Sequence, residues 1–149
     1  MSRETRAKII AKLDKLDEYL EYLAKIRRVD EKTFLADYRI FGAAERYLQL
    51  AIEVLLDVGK LLVVLENLRR PDTNQDIFTI LAERKVISRA LLDRLQRLVG
   101  FRNILVHDYE KIDRQIVFRN LRRNLKDFQD FRRAIIRYLR GSSGPYKKS

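Results

Sequence analysis

The 149 residues carry a formal net charge of +11 and suffice for one domain with a substantial core, but not for two. No cysteine and a single histidine exclude disulfides and thiolate metal sites, and leave a histidine zinc site dependent on carboxylates or a second chain. Five glycines and two prolines among abundant Leu, Arg, Ile, Lys, Ala and Glu point to an all-α chain, and no apolar run nears the ~20 residues of a membrane span.

The charged amino terminus has no signal-peptide core, so the cytoplasm is the expected compartment and no membrane partner is implied. Residues 5–28 predict an amphipathic helix with Ile9, Leu13, Leu16, Leu20, Leu23 and Ile26 on one stripe. The mixed charges elsewhere on it read as a solvated face. Asp30 is placed to cap a second helix running to about residue 68. Along it Phe34, Phe41, Leu48, Leu55 and Leu62 recur every seven residues, and Ile40, Tyr47, Val54 and Leu61 form another apolar line. Such a helix needs neighbours on two sides: a partner subunit covers one of them, or the helix is the buried centre of its own bundle. Gly42, Ala43, Ala44 and Ala51 would let a neighbouring backbone approach closely.

Pro71 and the polar run 69–74 form the clearest loop, followed by a short helix over about 75–84. Ser88 is set to cap a helix reaching about His107 or a little beyond. Residues 113–140 predict a last helix with Ile116, Leu121, Leu125, Phe128, Ile135 and Leu139 inward, and 141–149 read as a flexible basic tail. The expectation is a single domain over 1–140, an antiparallel bundle with one additional short helix, assembled as a two-fold dimer.

Charge is divided unevenly along the chain. Residues 1–83 hold 14 basic and 15 acidic side chains, whereas residues 84–149 hold 18 basic and 6 acidic ones. A basic half beside a neutral half suits a polyanion, and phosphate is the usual one. Arg119, Arg122, Arg123 and Arg133 of the last helix are candidates for RNA contact.

The stretch Gly100-Phe101-Arg102-Asn103-Ile104-Leu105-Val106-His107-Asp108-Tyr109 stands inside that basic half. The apolar steps Leu91, Leu95 and Leu98 continue onto Arg102, Leu105 and Tyr109, which puts a guanidinium where an unpaired charge is expensive. Gln96, Gly100, Asn103 and His107 run alongside as a polar stripe. Arg, four residues, His, one residue, Tyr, together with Tyr38–Arg46, Asp57–Gly59 and Tyr109–Asp113, resembles the HepT proteins, toxins of the HEPN superfamily paired with a nucleotidyltransferase antitoxin called MntA. The resemblance covers roughly residues 5 to 140 and implies an HEPN-like four-helix core.

What the residues offer chemically fits RNA cleavage without metal or cofactor. Imidazole titrates near neutrality and can serve as base for the 2′-OH or acid for the leaving 5′-oxygen. A guanidinium contacts a phosphorane through two hydrogen bonds, and Asn103, at i−4 from His107, can orient the ring or touch phosphate. A two-fold dimer would bring two such sets together. The resemblance implies that Arg102 and His107 are catalytic at a dimer cleft, and that the hydroxyl of Tyr109 receives AMP from the antitoxin. Taken alone, His107 reads first as a partly exposed or capping histidine near a helix end, and Tyr109 as a core or interface tyrosine; the three residues together at the family spacing reverse this. The alternative function is a non-catalytic helical module that binds RNA or nucleotide, mainly as partner and substrate of the transferase. A DNA-binding regulator has less support, since no helix-turn-helix pair stands out.

Overall fold

A computed structural model of the chain describes residues 3–107 and 113–143. Six helices form the bundle: α1 (Arg3–Arg27), α2 (Glu31–Ala36), α3 (Tyr38–Leu65), α4 (Asn74–Glu83), α5 (Arg89–His107) and α6 (Arg114–Ser143). Among the described residues there is no strand, as the composition requires, and no helix is long and apolar enough to cross a membrane.

The core is organised around α3, which contacts each of the other five helices. Its buried side chains include Leu48, Ile52, Leu55 and Leu62. Ile9, Leu13, Leu16, Leu20 and Leu23 of α1 are buried along the predicted stripe. Each fully buried leucine or isoleucine contributes about 1.5–3 kcal/mol of transfer free energy, which fixes which face of each helix turns inward. The second apolar line of α3 is covered in part within the chain: Val54 is buried, and Ile40, Tyr47 and Leu61 are partly buried. Tyr47 packs on Tyr22 of α1 with ring centroids 4.9 Å apart and on Tyr19 at 6.1 Å. α1 thus takes up part of the line that the sequence left to a partner subunit or to the bundle itself.

The long second helix is broken where one continuous rod is expected. Asp37 adopts an extended backbone (φ −103°, ψ 105°), accepts the Arg39 N–H on its side chain, and donates its own N–H to the Thr33 carbonyl. One aspartate thus ends α2 and starts α3. The heptad line survives the break, because Phe34 meets Phe41 edge-on with centroids 6.2 Å apart. Asp30 caps as expected, taking the Thr33 N–H at 3.2 Å. The far end of α3 stops at Leu65, earlier than the predicted 68. Asn67 takes a left-handed backbone (φ 51°) and the Leu68 N–H turns back to the Val63 carbonyl. At the other terminus α6 continues through Ser143, three residues into the stretch read as tail.

Two contacts set the geometry around α5. The short helix α4 seats on α3 at Gly59, where a Cβ would lie 2.4 Å from Ile77 Cγ2. Only glycine allows that approach, since the Ile77 methyl branches at a stiff Cβ. Between α5 and α6, Arg94 Nη1 donates to Asp127 at 2.7 Å and to Asp130 at 2.9 Å. Asp130 also accepts from Lys126 and Arg133, and Asp127 is only 6% exposed. Burial would push the Asp130 carboxyl up, but its bonds to Lys126 and Arg94 outweigh that and hold it below the usual aspartate range.

Candidate functional site

The N-terminus of α5 is fixed by Ser88, whose hydroxyl takes the Leu91 N–H at 3.1 Å, as its sequence position predicts. From that cap the helix runs with Leu91, Leu95, Leu98, Phe101 and Leu105 buried. Arg102 falls among them, and its side chain is 21% exposed. The charge is not left alone. Arg102 Nη2 lies 3.6 Å from Glu53 Oε1 on α3, and Gln49 Nε2 donates to the same oxygen at 3.4 Å. Arg102 Nε is buried with no hydrogen-bond partner among the described residues.

Glu53 belongs to a polar ladder. Glu45, Gln49 and Glu53 follow one another at i, i+4 and i+8, within ~80° of one face of α3. Gly42 extends that face, and nothing lies within 4 Å of where its Cβ would be. Burial raises the Glu45 carboxyl above the usual glutamate range. Facing this ladder, α5 presents the polar stripe predicted from its spacing. Gly100 also opens onto empty space, Asn103 is exposed, and Ile104 is 38% exposed. The His107 position ends α5 and lies ~40° from Asn103 around the helix. Tyr109 lies outside the described residues.

The short helix α4 meets α5 N-terminal to the motif. Gln96 of α5 donates to the Gln75 carbonyl at 3.0 Å and to Thr79 at 3.2 Å, at the first turns of α4. Arg102 sits on α5 between the open Gly100 position and exposed Asn103, paired to Glu53 of α3 and five residues before the His107 position. Among the described residues no three carboxylate or imidazole side chains gather to hold a metal ion.

The four α6 arginines named as RNA contacts are all exposed. Arg133 pairs with Asp130 at 3.0 Å, and Arg122 lies over the Phe118 ring at 4.7 Å. Other basic residues of α6 serve the fold instead. Arg114 donates to the Leu35 carbonyl at 2.8 Å and lies over the Phe41 ring, and Arg132 pairs with Asp17 at 2.8 Å. Sequence reasoning missed Glu53 and Gln49. The signal was a lone carboxylate inside the run Ala51-Ile52-Glu53-Val54-Leu55-Leu56, as isolated among apolar neighbours as Arg102 is on its own stripe.

A six-helix bundle with an arginine held in a groove, five residues before the only histidine, defines a class of small helical domain that a comparison with known proteins makes specific. The chain belongs to the family of HepT-like ribonucleases, whose model, Ribonuclease HepT-like, matches residues 16–135. It is 30% identical over 121 residues to the mRNA nuclease HepT of Shewanella oneidensis, covering 80% of this chain and 91% of that one. Its fold is similar to that of YutE, a cytosolic protein of Bacillus subtilis, with a TM-score of 0.82, 28% identity and 94% of both chains covered. A tri-AMPylated HEPN toxin of Shewanella oneidensis, solved in complex with an MNT antitoxin, matches with a TM-score of 0.81 and 28% identity over 92% of this chain and 99% of that one.

Arg102 occupies a place where leucine would pack, so its removal from the core stripe is expected to favour folding. A half-exposed ion pair is worth about 0–1 kcal/mol, less than a buried leucine contributes. Arg102→Leu should unfold at the same urea concentration as the parent or higher. A loss of more than about 2 kcal/mol would make Arg102 a structural residue.

Proposed function

We propose that this protein is an endoribonuclease toxin that cleaves RNA without metal, using Arg102 and His107 at a cleft between two copies of the chain. The observation that carries the proposal is the position of Arg102: a partly buried guanidinium on the apolar stripe of α5, held by Glu53, five residues before His107. The nuclease activity named for the Shewanella relative, and the toxin–antitoxin complexes among the structural neighbours, support the same assignment.

The chemistry is in-line transesterification. A base removes the proton of the 2′-OH, the 2′-oxygen attacks phosphorus, and the P–O5′ bond breaks as an acid protonates the leaving oxygen. The products are a 2′,3′-cyclic phosphate and a 5′-hydroxyl. A single chain has one imidazole, so His107 from each copy fills one of the two proton-transfer roles. The guanidinium of Arg102 neutralises the extra charge of the phosphorane, and Glu53 keeps it extended toward the groove. Asn103 orients the imidazole or contacts phosphate. Arg119, Arg122, Arg123 and Arg133 carry the flanking backbone of the RNA.

Neutralisation falls to a nucleotidyltransferase partner similar to the MNT antitoxin of the neighbouring complex. It transfers AMP from ATP to the Tyr109 hydroxyl, releasing pyrophosphate. The added phosphate brings negative charge and bulk to the motif, and both oppose binding of RNA phosphate.

Arg102→Ala and His107→Ala should each lower cleavage of RNA by about 10²–10⁴-fold while the fold persists, because a positioned acid, base or charge contributes on that scale. Unchanged cleavage in either variant removes that residue from the mechanism. Mass spectrometry after co-expression with the transferase should find AMP on the peptide holding Tyr109. Tyr109→Phe should escape neutralisation with much of its activity retained. AMP on Tyr138 or Tyr146 instead would move the regulatory site.

A further inference from the structure

At the opposite end of α5 from the motif lies a second, strongly basic cleft of about 510 Å³, between the α4–α5 turn and α6. Lys85, Arg89 and Arg137 line it and are exposed, and no acidic partner is found for them among the described residues. Arg94 and Arg133 also line it, but both are engaged by Asp130, which already accepts from Lys126 as well. The one acidic wall residue is thus saturated by the fold, and three cations converge without compensation.

The turn that carries Lys85 is unusual. α4 ends in a doubly bonded turn, with the Lys85 N–H on the Ala82 carbonyl and the Val86 N–H on the Leu81 carbonyl, both 2.9 Å. Lys85 occupies the left-handed position of that turn, with φ 64°. Glycine holds this position at least conformational cost and is the usual residue there. A lysine here spends backbone strain to set an ammonium at the mouth of the cleft, which points to a role outside folding.

We infer that this cleft is a second phosphate-binding site, gripping the backbone of the same RNA at a distance from the cut. The inference rests on the ribonuclease assignment above. Arg89 and Arg102 lie on one helix thirteen residues apart, ~20 Å along its axis. At about 3.4 Å per stacked nucleotide, about six nucleotides separate the cleft from the motif. Between them the outward face of α6 offers Arg119 and Arg123 one turn apart, with Lys126 and Arg133 beyond, both of which share Asp130. Exposed cations continuing from the cleft along one helix face suit the repeating phosphates of a nucleic-acid backbone.

The test is the double variant Lys85→Gly, Arg89→Glu. Glycine relieves the left-handed strain and glutamate suits the first turn of α5, so thermal stability should not fall. Binding is read by fluorescence anisotropy with labelled 2′-O-methyl RNA, which cannot be cut by 2′-oxygen attack. For a strand of about 30 nucleotides the variant should lose about tenfold in affinity, and the slope of log affinity against log salt should fall by about 1–2. A strand of about four nucleotides, too short to reach the cleft from the motif, should bind parent and variant alike. Unchanged affinity and salt slope for the long strand would overturn the inference, and weakened binding of the co-expressed transferase in that same variant would assign the cleft to the protein partner. Equal losses on both strands would also overturn it, since the cations would then act at the motif itself. If the parent protein neither binds nor cleaves RNA, the ribonuclease assignment fails first; if the parent does both and the variant matches it, only the second site fails.

Discussion

The guanidinium of Arg102 and the carboxylate of Glu53 meet 3.6 Å apart between α5 and α3, where Arg102 interrupts the buried stripe of its helix. At roughly 4 Å and an effective dielectric near 20 their attraction is about 4 kcal/mol, and the cost of drawing both groups partly out of water cancels most of it. What remains is about 0–1 kcal/mol, the ordinary worth of a partly exposed pair. A leucine in place of the arginine would serve the core better. The pair therefore makes an arginine tolerable at a place where stability alone would not put one, and the remaining architecture keeps that place accessible.

Accessibility follows from the length and seat of α4. Ten residues long and pressed onto Gly59, it reaches the level of Gln96 on α5 and goes no further toward the motif. The same arrangement leaves Gly42, Gly100 and Asn103 bordering open space. On the far side of α5, the bonds from Arg94 to Asp127 and Asp130 bind the motif helix to α6. α6, whose exposed face is basic, is thereby held against the motif helix. In the proposed function, positive charge that would repel itself in a compact protein serves as a track for a polyanion.

Much of this was legible in the residues. The stripe of α1, the caps at Asp30 and Ser88, the short fourth helix and the inward face of α6 follow from period and side-chain chemistry. The break at Asp37 was hidden, because the heptad line runs unbroken through it and an aspartate within a helix is not by itself a stop. Coverage of Tyr47 by α1 was equally hidden, since an apolar line does not say whose chain will bury it. The partner of Arg102 sits 49 positions earlier, and no local pattern pairs two residues so distant. Nor could spacing divide the basic residues of α6 into those that hold the bundle, such as Arg114 and Arg132, and those left on the outward face.

The central claim is that an imidazole and a guanidinium suffice for the chemistry in this groove, and the ends left on cut RNA report on it most directly. Purified protein incubated with end-labelled RNA in excess EDTA should leave a 2′,3′-cyclic phosphate on one fragment and a 5′-hydroxyl on the other. Cleavage that stops with the chelator and leaves 5′-phosphate ends would contradict the account, because a metal-bound hydroxide would then be the nucleophile instead of the 2′-oxygen.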